Sequence, residues 1–438
     1  MHHYLKIEQT SSLVGTTYVL GAKNATLVIM ASLLLTEGKS RLRNVPLSGD
    51  VLQMIMVLQQ LGANVVVDET AHVIDVDTSG VHQWQVSPYL MKKMRASILV
   101  MGPLLARFGR ADIALPGGDM IGARPVDYHM HNFARMGVDI VQEHEYIRAS
   151  AYALKAARLV LEYPSVGATE NSMMLACLIP GTTTIINAAL EPEVLDLIGI
   201  LRMMGAQITI QSPATLVITG VERLYPVDYT IMSDRLEVGS LLLAGAITGG
   251  DVYIPQADRN VLDVFLLKLE QMGHIISTGP EGKGIRLQAT KEPRAVTFKT
   301  GPYPSFPTDL QAPLMAALCL AEGESTIHET VYENRMLHVR ELQKMGATIT
   351  VEHDRAKIKG VEQLYGTQVI ASDIRASCSL VLAGLVARGT TIVTGIHHWQ
   401  RGYEELEKRL ALLGANIQLM FHAHDISEIQ TEMPAASL

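Results

Sequence analysis

The sequence predicts an α/β protein, a two-domain inside-out α/β barrel made of six repeats of a βαβαβ-type module. Three observations predict it. A helical pattern, a Leu/Met-Gly-Ala-like turn and an apolar strand recur at Gly62, Gly137, Gly205, Gly273, Gly346 and Gly414, at intervals of 75, 68, 68, 73 and 68 residues. Every copy is preceded by a helix that is apolar on nearly all of its faces. A chain of 438 residues is also long enough for two cores, since single cores stop growing at about 250–300 residues. Each repeated glycine falls where a helix ends in a left-handed C-cap, a conformation that glycine adopts at little cost. The spacing is too long for a solenoid repeat of about 20–50 residues and suits a βαβαβ unit.

Each module opens on a small-residue helix: AKNATLVIMASLLL, MRASILVMGPLL, GATENSMMLACLI, DRLEVGSLLLAGAI, PTDLQAPLMAALCLA and DIRASCSLVLAGLVA. Helices without a polar face are expected to be buried. A glycine-bearing turn and a β-rich run follow, as in EGKSRLRNV, PGTTTIINA, GGDVYIPQA, EGESTIHET and RGTTIVTGI. An amphipathic helix then leads to the repeated glycine and a closing strand. The second module departs from this plan. Its run FGRADIALPGG enters a glycine-rich loop, 116–122, which is therefore a candidate functional loop. The expected domains are 23–232, carrying that mobile loop, and a discontinuous 1–22 with 233–426. In the second of these, the strand MHHYLKIEQ pairs into the C-terminal half. Residues 427–438 lack periodicity and are expected to form a disordered tail.

Composition narrows the function. The net charge of −8 and the absence of basic runs exclude a nucleic-acid or membrane-surface partner. Apolar stretches such as 27–35 are far shorter than the roughly 20 residues of a membrane span. The N-terminus has no apolar signal core, which predicts a cytoplasmic protein. Cys177, Cys319 and Cys378 lie in apolar segments and are expected to be buried free thiols. No Cys/His spacing fits zinc, and GxGxxG and the P-loop are missing, so no metal and no cofactor are predicted.

Polar residues cluster at the starts of the six apolar helices. They are Lys23 and Asn24; Arg95; Ser165, Gly167 and Thr169; Asp234 and Arg235; Asp309; and Asp373 with Arg375. Capping accounts for the aspartates but not the cations, which the helix dipole disfavours at an N-terminus. Convergence of the six N-termini on one cleft for multiply charged anions, phosphates above all, accounts for both. Three loops add further cations: PGGDMIGARPVDYH (116–129), ENRMLH (333–338) and WQRGYEE (399–405).

GAKNATL, MRASI, LPGGDMIGARPVD, SVGAT, EPEVLD, SDRLEVG, FPTDLQAP, ENRMLHV, DIRASCSLVLAG and RGYEELE together resemble the UDP-N-acetylglucosamine 1-carboxyvinyltransferase family, over roughly residues 4–420. The resemblance implies the enolpyruvyl transferase fold, with phosphoenolpyruvate and UDP-N-acetylglucosamine as substrates. It implies transfer of the enolpyruvyl group to the sugar 3-hydroxyl with release of phosphate, by addition and elimination. It places Lys23, Arg124 and Arg401 around phosphoenolpyruvate, with Arg95 and Arg375 close by. Asp309 becomes the base for the sugar hydroxyl, and Asn24 helps to hold the sugar. Ser165, Val166 and Gly167 face the diphosphate; Pro125, Val126, Asp127 and Arg335 fall where the family reads uracil, its ribose or the loop beside them, and Val331 is a further substrate-binding position. Two positions depart from the family. Asp119 stands where most members carry a reactive cysteine, and Tyr163 replaces a cation before SVGAT. Asp119 is then expected to protonate the substrate methylene, provided that burial outweighs nearby arginine. A transferase for another nucleotide or for shikimate phosphate, and a non-catalytic UDP-sugar-binding paralogue, remain alternative readings.

Overall fold

The computed structural model describes residues 2–123 and 125–422. Arg124 and the expected tail 427–438 therefore lie outside the described residues.

Protein covers the six apolar helices almost throughout, the half-buried last turn of the second being the main departure. They are Lys23–Ser32, Met101–Phe108, Val166–Ala176, Arg235–Ile247, Gln311–Leu318 and Ile374–Val386. In the first, only Asn24 escapes burial. The second and fifth begin as 3-10 turns, Arg95–Val100 and Thr308–Leu310. Proline explains both, since Pro103 and Pro313 have no N–H for an α-helical bond to the preceding turn.

The repeated glycines do what their spacing demands. Their φ angles are +106°, +90°, +108°, +99°, +95° and +105° in chain order. In five of the six, the next residue donates to the carbonyl five positions back, as Ala206 does to Leu201 at 2.9 Å and Ala347 to Leu342 at 3.1 Å. This double closure satisfies carbonyls that the helix end leaves open.

The module differs from expectation in one respect: it closes on a hairpin rather than a single strand. In the third copy, Arg158–Val160 pairs in parallel with Thr182–Ile186, which pairs antiparallel with Thr215–Thr219, which in turn pairs with Gln207–Gln211. The added strand bonds on both sides and so buries backbone groups that a lone edge strand would leave open. The unit is thus βαβαββ. Six sheets result, and among the described residues none closes on itself. The inside-out barrel is therefore one of arrangement, with separate sheets surrounding the buried helices.

Strand exchange joins the ends of each set of three modules. Asp228–Thr230 pairs in parallel with Lys39–Arg43. His2–Glu8 lies between Thr390–Thr394 and Ile417–His422, antiparallel to both. Two apolar cores follow, one drawn from residues 22–231 and the other from 5–19 with 236–417. Cys177, Cys319 and Cys378 are buried and unpaired. No helix among the described residues is long and apolar enough to cross a membrane.

Candidate active site

A cleft of about 640 Å³ lies between the two cores, and the starts of all six buried helices line it. Lys23 and Asn24, Arg95, Ser165 with Val166 and Gly167, Arg235, Asp309, and Arg375 all face it. Asp119, Pro125, Tyr163, Val331, Arg335 and Arg401 complete the sequence-predicted set that the structure brings together. Val126 and Asp127 are not among the lining residues. They open the helix Asp127–Arg135, where Val126 packs on the first core and Asp127 is exposed in the first turn. Arg124 is outside the described residues.

Three of the misplaced cations are held by a carboxylate from another element, while Arg95 donates to the Pro125 carbonyl at 3.0 Å. Lys23 Nζ meets Asp50 Oδ2 at 3.1 Å, and both side chains are buried. Arg235 grips Glu193 in bidentate fashion at 2.9 and 3.1 Å. Arg375 donates twice to Asp309 Oδ2, at 2.8 and 3.1 Å, while Arg335 donates to Oδ1 at 2.7 Å. Tyr403 in turn accepts from Arg375 Nη1 at 2.9 Å, fixing the guanidinium plane. Arg401 takes Asp50 at 2.8 Å and Asp119 at 2.6 Å. Cations and anions thus alternate across the cleft.

Asp234 and Asp373 are N-caps, each accepting two amides of its own helix. Asp309 is not a cap. It lies inside the turn Thr308–Leu310 and gives both oxygens to arginine. Burial pushes its carboxyl up, but Arg375 and Arg335 together hold it far below the usual carboxylate range. Asp119 follows the same pattern. Burial raises it, while His398 and Arg401 lower it more, so it too is held as an anion. In this arrangement His398 and Arg401 outweigh burial.

Several site residues escaped the sequence. Asp50 reads as an ordinary first-turn acid of the helix Gly49–Gln60, yet it holds two cations. Glu193 and His398 act across the cleft, which local pattern does not reveal. His129 gave no signal beyond its place in the loop motif. Asn171 Oδ1 accepts from the Gly102 amide at 2.7 Å, so its Nδ2 faces His129 Nδ1 at 3.1 Å as a donor. The proton of His129 is thereby fixed on Nε2, and that edge faces Gly167, where a Cβ would sit 3.3 Å away. A neutral imidazole donor therefore stands beside the amides at the start of Val166–Ala176. Glu170, one turn further on, is pushed well above the carboxylate range by burial and by Glu191 and Glu193.

This geometry, a cleft of alternating cations and carboxylates between two halves built from three helical modules each, is that of an enolpyruvyl transferase. A family model described as EPSP synthase (3-phosphoshikimate 1-carboxyvinyltransferase) matches residues 7–410, and the chain belongs to this enzyme family. Within it, the chain is 48% identical over 415 residues to the UDP-N-acetylglucosamine 1-carboxyvinyltransferase of Shewanella amazonensis. It is 45% identical over 414 residues to that of Geobacter metallireducens. Both matches cover 94% of this chain and 98% of the relative. The solved enolpyruvyl transferase NikO from Streptomyces tendae has a TM-score of 0.87 at 25% identity, covering 96% of this chain and 99% of its own. EPSP synthase from Acinetobacter baumannii, at 16% identity and a TM-score of 0.74, shares the fold.

Burial, with Arg95 adding to it, lowers the His129 pKa from 6.5 to about 3. Its Cε1 proton resonance is therefore expected to hold its position from pH 8 to pH 5, and a titration midpoint inside that range would contradict the assignment. Because the folded value lies below the unfolded one, protonation favours the unfolded chain. The His129 contribution to stability is intact above 6.5 and falls as pH drops from there towards about 3.

Proposed function

We propose that this enzyme transfers the enolpyruvyl group of phosphoenolpyruvate to the 3-hydroxyl of UDP-N-acetylglucosamine, releasing phosphate, in the cytoplasmic synthesis of a peptidoglycan precursor. The observation that carries the reading is the meeting of six helix starts with Lys23, Arg95, Arg335, Arg375 and Arg401 around two carboxylates, Asp119 and Asp309. Phosphoenolpyruvate brings a phosphate and a carboxylate, and the nucleotide sugar brings a diphosphate. A site for both needs several fixed cations and amide donors. Identity of 44–48% to relatives that carry this name supports the choice of nucleotide sugar over shikimate phosphate.

Lys23, Arg401 and Arg124 hold phosphoenolpyruvate. Arg95 stands near the phosphate of phosphoenolpyruvate; Ser165, Val166 and Gly167 face the diphosphate, Asn24 and Asp309 the sugar. Pro125 and Arg335 form the uridine end, with Val126 and Asp127 beside it, outside the lined cleft, and Val331 is a further substrate-binding position. The reaction adds and then eliminates. In the first step the sugar oxygen bonds to C2 of phosphoenolpyruvate, C3 gains a proton from Asp119, and Asp309 takes the hydroxyl proton. In the second, C3 returns its proton as the C2–phosphate bond breaks, leaving the enolpyruvyl ether and phosphate. Two arginines make Asp309 a weak base, but a weak base suffices here. A hydroxyl attacking an oxocarbenium-like carbon becomes strongly acidic as the new bond forms, so the proton leaves late and readily. The fixed guanidiniums meanwhile hold the counter-charges of that carbon in place.

The two cores act as two domains, 23–232 and 1–22 with 233–426, and the loop 116–122 completes the site from the first. No metal or cofactor enters this chemistry.

Asp309→Ala is expected to lower turnover by about 10²–10⁴-fold while binding of UDP-N-acetylglucosamine is largely kept. Turnover within threefold of the wild type would sink the role given to Asp309. Asp119 also removes the soft thiolate that an epoxide alkylates most readily. Fosfomycin is expected to leave the wild type active on prolonged incubation, and Asp119→Cys to become sensitive. Mass spectrometry finding an adduct on the wild-type Asp119 peptide, with time-dependent loss of activity, would refute this.

A further inference from the structure

Arg401 carries two carboxylates where one would neutralise it, and the two are not equivalent. Asp50 Oδ1 accepts from Arg401 Nε at 2.8 Å, and its other oxygen holds Lys23 at 3.1 Å. Asp50 is 4% exposed and sits in the first turn of the helix Gly49–Gln60, so it is built in. Asp119 Oδ1 accepts from Arg401 Nη1 at 2.6 Å. Asp119 lies on the loop 116–122, where its neighbour Met120 is 83% exposed. It reaches from the first set of modules to the second, where its other contacts are His398 Nδ1 at 3.2 Å and the Ile374 amide at 3.4 Å. Asp50 thus occupies the Nε side of the guanidinium. The terminal nitrogens are left to grip a phosphate or carboxylate, and Asp119 takes one of them, Nη1.

We propose that Asp119 is an internal counter-anion of Arg401, and that the phosphate or carboxylate of phosphoenolpyruvate displaces it on binding and so frees its carboxyl group to act. The proposal rests on the reading that Arg401 grips this substrate. Arg401 stays neutralised in both states, by Asp119 before the exchange and by substrate after it, while Asp50 anchors it throughout. Among the described residues, the charged and titratable groups facing Asp119 are Arg401, His397 and His398, all on the helix His397–Gly402. The start of Ile374–Val386 adds an amide, and Asp50 and Lys23 act through Arg401. Once the Arg401 pair is exchanged, His398 is the one charged or titratable group among the described residues that still lowers the Asp119 carboxyl, and burial moves it towards its protonated form. A proton donor needs that form. Anion binding and readiness of the acid then become one event, and the acid is armed only when the substrate is in place.

Competition for one guanidinium edge has a measurable cost. The internal carboxylate weakens the affinity for phosphoenolpyruvate, so removing its charge should strengthen binding even as it stops turnover. The experiment is calorimetric titration of the full chain with phosphoenolpyruvate at low salt, in wild type, Asp119→Asn and the smaller Asp119→Ser. Circular dichroism checks that each variant is folded. Both variants are expected to bind roughly threefold tighter or more, as loss of a partly exposed ion pair permits. At pH 6 the wild type is expected to take up more protons on binding than Asp119→Asn does. Affinity unchanged or weakened in both variants, or equal proton uptake, overturns the proposal. Arg401→Gln separates this from the reading beneath it. If Arg401 grips the substrate, this change removes binding in both the wild-type and the Asp119→Asn backgrounds. If binding survives Arg401→Gln, the role of Arg401 itself fails, whatever the Asp119 variants do.

Discussion

A buried cation at a helix N-terminus is opposed twice, by loss of hydration and by the positive end of the helix dipole. Lys23, Arg235 and Arg375 all occupy such positions, and the rest of the site follows from how the protein tolerates them. Each is met by a carboxylate that its own helix does not supply: Asp50, Glu193 and Asp309. One of these links, Arg235 with Glu193, and the further pair of Arg401 with Asp50 join residues of different cores. Breaking a buried pair by removing one partner costs about 3–5 kcal/mol, so these links tie the cleft walls together as firmly as they set its charge. The helices meet there because the inside-out arrangement buries their apolar flanks and leaves only their starts exposed to the cleft.

The two carboxylates of the proposed chemistry show how the same interaction yields different behaviour. Both are ionised by arginine against the effect of burial. Asp309 is gripped by two buried guanidiniums, one of them set by Tyr403, so it keeps its charge and its place. Asp119 is on a loop and shares a single arginine that already has another partner. A fixed anion suits proton acceptance, and a displaceable one suits proton donation. Environment rather than residue type assigns the two roles.

What the sequence revealed is what depends on neighbours along the chain. The six positive-φ glycines follow from a local need at helix ends, and the six apolar helices from composition alone. Charges at the starts of those helices stood out because burial made them anomalous, and the structure gathers them in one cleft. The hidden features all involve partners far apart in sequence. The return strand of each module depends on sheet pairing, and Asp50 looked like a first-turn acid because its partner Arg401 is 351 residues away. The tautomer of His129 is set by Asn171, itself fixed by Gly102. Asp309 resembled a cap until Arg335 and Arg375 were placed beside it.

The account centres on one reaction in one cleft, and the products test it most directly. The full chain is incubated with phosphoenolpyruvate and UDP-N-acetylglucosamine, free phosphate is followed, and the nucleotide product is weighed by mass spectrometry. Phosphate released only when both are present, in equal amount to a nucleotide sugar that has gained one enolpyruvyl group, is the predicted result. No release with the nucleotide sugar, or release with shikimate 3-phosphate in its place, would contradict it.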